Sequence, residues 1–188
     1  MSGHVILLNG TSSSGKSSIA AELLDLLPGP YFSLPRDAVN SMRSRAQTPE
    51  FGTPEFDEVF ERTVRGYHRM LAGLAAAGNG VIADHVLRPH WLADCLEVLQ
   101  EQEVTFVGVH CPLPELQRRE QVRGDRPAGL AERQYPIVHA HGDYDVECDT
   151  SVHSPRECAR IIADFIATPN RSEAFRRLNS AKDLRPHQ

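Results

Sequence analysis

The sequence has no apolar run near the roughly 20 residues that a bilayer span needs, so no membrane partner is expected. It has no excess of positive charge either. The formal net charge is -5 and the pI about 6.0, which argues against general nucleic-acid binding. No two of its four cysteines, Cys95, Cys111, Cys148 and Cys158, form a C-x-x-C pair. They read as reduced, mostly core residues of a cytoplasmic protein. The nine histidines do not make a zinc site. The closest pair, His139-x-His141, has no partner pair at zinc spacing. There is no internal repeat and no domain linker. The chain passes from Met1 into an apolar strand within a few residues, so no signal peptide is expected.

What remains is an ordinary globular composition, 40% hydrophobic and 24% charged over 188 residues, enough for one α/β domain with a core. Its organising stretch is Gly10-Thr11-Ser12-Ser13-Ser14-Gly15-Lys16-Ser17, which has the spacing G-x-x-x-x-G-K-S/T of a phosphate-binding loop. Val5 to Asn9 before it read as a buried strand. Ser18 to Leu27 after it place Ile19, Leu23, Leu26 and Leu27 on one helix face. Backbone N–H groups from Gly10 to Ser18 can wrap a nucleotide's phosphates at the positive end of that helix. Lys16 would reach the β- and γ-phosphates, and Ser17 would ligate Mg²⁺.

Along the chain, strands are expected at Tyr31–Leu34, Val81–Asp84, Val104–Cys111 and Asp145–Thr150. Helices are expected after Pro35, from Pro54 to about Ala77, from Pro89 to Gln102, from Pro114 through the arginines, and from Pro155 to about Ala167. Alternation of this kind predicts an α/β fold with a five-stranded parallel sheet and helices on both faces. Ligands in such sheets bind at the carboxyl ends of the strands. Residues 1–168 form the kinase domain in this reading, with an arginine-rich lid at about 118–140. Residues 169–188 are a basic tail, a surface helix with a frayed end.

A phosphate loop alone does not choose a reaction. No Asn-Lys-x-Asp follows a later strand, so guanine recognition of the G-protein type lacks support, and a small single domain favours a small-molecule kinase. Asp37, just beyond the second strand, is the candidate for orienting and deprotonating an attacking hydroxyl. A helix-capping role would also account for an Asp there. Asp84 ends its strand where a Walker-B-type carboxylate would hold Mg²⁺; a strand-end turn is the alternative. Arg123 and Arg126, in Arg123-Gly124-Asp125-Arg126, are candidates for a lid that clamps the transferring phosphoryl group. Arg118 and Arg119 stand in reserve.

Together with the phosphate loop and Asp37, the segments Val107-Gly108-Val109-His110-Cys111, Arg123-Gly124-Asp125-Arg126 with Ala128-Gly129, and Tyr144-Asp145-Val146-Glu147-Cys148-Asp149-Thr150 resemble the chloramphenicol 3-O-phosphotransferase family over roughly residues 4 to 167. The resemblance implies a nucleoside-monophosphate-kinase-like P-loop NTPase fold. It implies ATP with Mg²⁺, transfer to a primary hydroxyl of an antibiotic, and Asp37 as the base. It also implies that Arg123 and Arg126 serve the phosphates, and that the stretch around Asp149 and Thr150 lies near adenine. Arg119 is a further candidate for binding the nucleotide. The chain departs from a member of the family that has two acidic residues where this chain has Asp84-His85, and its loop from Ser44 to Pro54 differs in length and character. A metabolic kinase of the shikimate or gluconate kinase type is the second reading, and a nucleotide-binding regulatory protein the third. The partner in the leading reading is a small-molecule hydroxyl acceptor; self-association is left open.

Overall fold

The computed structural model describes residues 3–124, 129–168 and 172–183. Five strands, β1 His4–Asn9, β2 Tyr31–Pro35, β3 Gly80–His85, β4 Glu103–His110 and β5 Val146–Asp149, form one sheet in the order β2-β3-β1-β4-β5. Every pairing is parallel. Parallel neighbours need crossovers, and helices supply them. The crossovers carry α1 Lys16–Leu26, α2 Arg36–Ser41, α3 Pro54–Ala76, α4 Pro89–Leu99, α5 Leu113–Arg123 and α6 Leu130–Val138, and α7 Pro155–Ile166 and α8 Ala174–Asp183 follow the last strand.

β1 lies at the centre and is apolar on both sides because both faces of the sheet are covered. Val5 and Leu7 pack with Val81, Ala83 and Phe106 under α3, α4 and the start of α8. Ile6 and Leu8 pack with Ile82, Val107 and Val109 under α1 and α7. The chain leaves β1 for the β3–β2 side and later returns to β4 on the other side. The carboxyl end of β1 is therefore a switch point, and the phosphate loop sits there. Gly10 is fixed by closeness: a Cβ there would lie 2.4 Å from the Val109 carbonyl oxygen.

Local signals explain the helix starts. The Thr53 side chain accepts from the Phe56 N–H before Pro54 opens α3. Ser154 and Glu157 form a capping box ahead of Pro155 in α7. Three expectations change. The helix from Pro89 ends at Leu99 instead of Gln102, and Gln102 N–H closes a turn onto the Leu99 carbonyl. A separate helix, α6, occupies 130–138. The segment after Thr168 is also more than a surface element. Ala174 and Phe175 are buried against the sheet, and Asp145 Oδ1 accepts from the N–H groups of Glu173 and Ala174 at 2.7 Å.

Candidate active site

The site begins where β1 stops. Asn9 ends the strand and is fully buried. Its Oδ1 accepts from Leu87 N–H at 2.8 Å, and its Nδ2 donates to the Val138 carbonyl at 2.9 Å and the Tyr144 hydroxyl at 2.8 Å. One side chain thus ties the phosphate loop to the loop after β3 and to the end of α6. Ser13 (φ 64°) and Gly15 (φ 93°) take left-handed backbone. A Cβ on Gly15 would meet Thr150 Cγ2 at 3.3 Å, so strain and Thr150 both hold that position to glycine.

Lys16 is buried. Its Nζ donates to the carbonyls of Gly10 at 2.9 Å and Thr11 at 2.7 Å and lies 3.6 Å from Asp84 Oδ1. Burial lowers its pKa, while Asp84 and Asp37 pull it back up. The pairing of β3 with β1 sets Leu8 opposite Asp84, which brings the carboxylate beside the loop. There Ser17 Oγ donates to Asp84 Oδ2 at 2.6 Å. Two hard oxygen donors at the start of α1 suit a Mg²⁺ ion.

Asp37 stands at the start of α2. The N-cap position itself belongs to Pro35, and Asp37 sits in the first turn of the helix. The Asp37 side chain is 46% exposed, and Arg36 donates to its Oδ1 at 2.8 Å.

From the opposite wall come α5 and β5. Arg119 donates from Nε to Glu115 at 2.8 Å and from its two NH groups to Thr150, at 2.9 Å to Oγ1 and 2.8 Å to the carbonyl. Thr150 Oγ1 in turn donates to the Ser14 carbonyl at 2.9 Å. Arg118 is more exposed and grips Glu115 with two bonds. Hydrogen bonds from Arg118 and Arg119 pull the Glu115 carboxyl down to about 2.

A cleft of about 430 Å³ collects these parts. Ser12, Ser13, Gly15, Lys16, Ser17 and Ser18 line it, as do Asp37, Asp84, Arg118, Arg119, Arg123 and Thr150. Arg126 lies outside the described residues. Two further residues were not singled out from the sequence. Gln134 Oε1 accepts from the Ser12 N–H at 2.7 Å. Glu120, nearly buried, accepts from the N–H groups of Gly129 and Leu130 at 3.0 Å and Ala131 at 3.2 Å. A carboxylate at a helix N-terminus was the available signal, but the partner helix had to be seen first.

His85, the last residue of β3, sits within the packed interior. It is buried, 5.8 Å from Trp91 in a stack and edge-on to Tyr67. Burial holds it neutral, with a pKa well below its ordinary value. Asp94 accepts from His68 Nδ1 at 2.6 Å. Burial would raise the Asp94 carboxyl, but hydrogen bonds from His68 and Arg69 outweigh that. His68 Nε2 is then an acceptor, His85 Nε2 donates to it at 3.0 Å, and His85 Nδ1 is left as a bare lone pair.

The family profile described as "Chloramphenicol phosphotransferase-like protein" matches residues 3–167. A Mycobacterium tuberculosis protein named as a candidate O-phosphotransferase is 32% identical over 197 aligned positions, covering 94% of this chain and 88% of that protein. Among solved structures, the M. tuberculosis APS kinase in complex with AMPPNP and APS has a TM-score of 0.65 at 21% identity, covering 89% of this chain and 99% of that one. A Deinococcus radiodurans tunicamycin resistance protein has a TM-score of 0.65 at 19% identity over 87% of this chain and 95% of that one. Acinetobacter baumannii shikimate kinase in complex with shikimate has a TM-score of 0.63 at 16% identity over 89% and 94%. Among the described residues, no helix is long and apolar enough to cross a membrane.

Proposed function

The chain belongs to the chloramphenicol phosphotransferase-like family, a family of phosphate-loop kinases, and from that premise we propose that it moves the γ-phosphoryl group of ATP to a hydroxyl of a small molecule. One observation carries the reading. Asp37, Asp84 and Lys16 open into the same cleft, which supports their reading as base, metal carboxylate and phosphate-binding lysine around one space.

The loop amides and Lys16 bind the β- and γ-phosphates in this account. Ser17 and Asp84 would hold Mg²⁺, which supplies positive charge against the developing negative charge on the phosphoryl oxygens. Asp37, steadied by Arg36, accepts a hydrogen bond from the acceptor hydroxyl and takes its proton as the oxygen bonds to the γ-phosphorus and the bond to the β,γ-bridging oxygen breaks, releasing ADP. Arg119 and Arg123 set cationic charge on the far wall, and Arg126 joins them in the proposal. The transition state is loose, so holding the hydroxyl in line matters as much as basicity.

The family description makes an antibiotic hydroxyl the first acceptor to try. The experiment is transfer from [γ-³²P]ATP across amphenicols, other hydroxyl-bearing antibiotics and hydroxylated metabolites. Label on an organic acceptor supports the reading. Bound ATP that yields only slow inorganic phosphate across the panel makes the protein a nucleotide binder and overturns it.

A further inference from the structure

Beside Asp37 stands a wall of aromatic rings that the nucleotide does not need. Phe56 stacks on Phe60 at 6.0 Å, and Phe60 meets Trp91 at 5.8 Å. Three guanidinium groups lie on this wall. Arg43 is 5.7 Å from the Phe56 centroid, Arg36 is 5.2 Å from Phe60 and 5.9 Å from Trp91, and Arg88 is 5.0 Å from Trp91. A guanidinium stacked flat keeps its N–H edge for hydrogen bonds.

That edge is incompletely used. Arg36 NH2 holds Asp37, but its buried Nε has no hydrogen-bond partner, and neither does the buried NH1 of Arg43. Among the described residues only two other buried side-chain atoms share this condition. Ser13 Oγ lies in the phosphate loop, and His85 Nδ1 belongs to the ring stacked on Trp91. Two of the four, the Arg36 and Arg43 donors, thus gather at this wall. Buried donors of a charged group are costly to leave unpaired, and an anionic acceptor atom would relieve them. The charge in the cleft agrees. Lys16, Arg36, Arg118, Arg119 and Arg123 line it against only Asp37 and Asp84, although the whole chain carries -5.

Resting on the kinase reading above, we infer that the acceptor is a hydroxylated organic anion whose carboxylate, sulfate or phosphate docks on Arg36, with Arg88 and Arg43 beside it on the aromatic wall. Its hydroxyl would reach the adjacent Asp37, so hydroxyl and anion are separated by only a few bonds. A neutral alcohol would answer Arg36 Nε with an uncharged oxygen, the weaker partner for a guanidinium.

Trp91 is the single tryptophan and lies under both Arg36 and Arg88, so its fluorescence reports on the site. The experiment fills the phosphate loop with AMPPNP and Mg²⁺, following binding by calorimetry. Inorganic phosphate, sulfate and acetate are then titrated separately at constant ionic strength. The expected result is a saturable Trp91 response to at least one ion, the ranking of the three identifying the preferred anion. In Arg36→Met and Arg88→Met the apparent affinity should fall by about tenfold or more, the scale of a hydrogen bond to a charged group. No saturable response to any of the three, or a response that neither substitution weakens, overturns the inference. If Arg36→Met does not fold, Arg88→Met alone decides. AMPPNP binding without an anion response defeats this inference and leaves the kinase reading standing; failure of AMPPNP to bind defeats both.

Discussion

Lys16 serves the loop before it serves a ligand. Its ammonium bridges the Gly10 and Thr11 carbonyls, so the loop is braced by its own side chain. Lys16→Met keeps the apolar stem and removes these donors. Nucleotide affinity should fall at least about tenfold, since several charged hydrogen bonds go with the ammonium. The thermal midpoint should drop only slightly. Calorimetric titration and a thermal scan on one sample check this, and wild-type affinity would remove Lys16 from the phosphate site. At this scale the sequence was informative because the chemistry is local: the eight-residue spacing carries the loop. It was less informative where partners are distant. Gln134 reaches the Ser12 amide across 122 residues, and no spacing rule spans that gap.

Helices α5 and α6 are fastened by one buried carboxylate. Glu120 accepts three backbone N–H groups at the start of α6, bridging residues 125–128. Glu120→Ala would strand those donors in a nearly buried setting. A loss of roughly 1–3 kcal/mol is expected. Amides 129–138 should exchange with deuterium faster than those of β1, which stay unchanged. Equal exchange in the wild type and Glu120→Ala would show that α6 is held by its other contacts. The helix itself was hard to read. It is nine residues long with Pro136 inside it, and an arginine-rich stretch precedes it, so it merged with the proposed lid. The long apolar periodicity of α3 and the cap at Ser154 left no such ambiguity.

For the molecule as a whole, the parallel sheet followed from strands alternating with helices, and β1 was legible because burial on both faces makes it continuously apolar. The docking of α8 was not legible, since Ala174, Phe175 and Leu178 are its few apolar contacts in a polar segment. Buried and half-buried histidines give the fold a pH dependence. Desolvation lowers the pKa of His4, His68, His85, His139 and His141 from 6.5, His139 to about 3. The unfolded chain then binds more protons below that ordinary value, so their contribution is complete above about pH 7 and declines as the pH falls. The thermal midpoint should hold from about pH 8 to 7 and drop by pH 5; a flat profile would show that these rings are not buried as described. Function at this scale is the proposed transfer, and Asp37 is the residue at which that proposal is tested. With the acceptor found from the labelled panel, single-turnover transfer is measured for wild type and Asp37→Asn after each is loaded with ATP·Mg²⁺. The account predicts near-normal nucleotide affinity and a thermal midpoint close to wild type. It predicts a loss of transfer of about 10²–10⁴-fold, the range for a positioned acid–base group. Transfer by Asp37→Asn at close to the wild-type rate would contradict it.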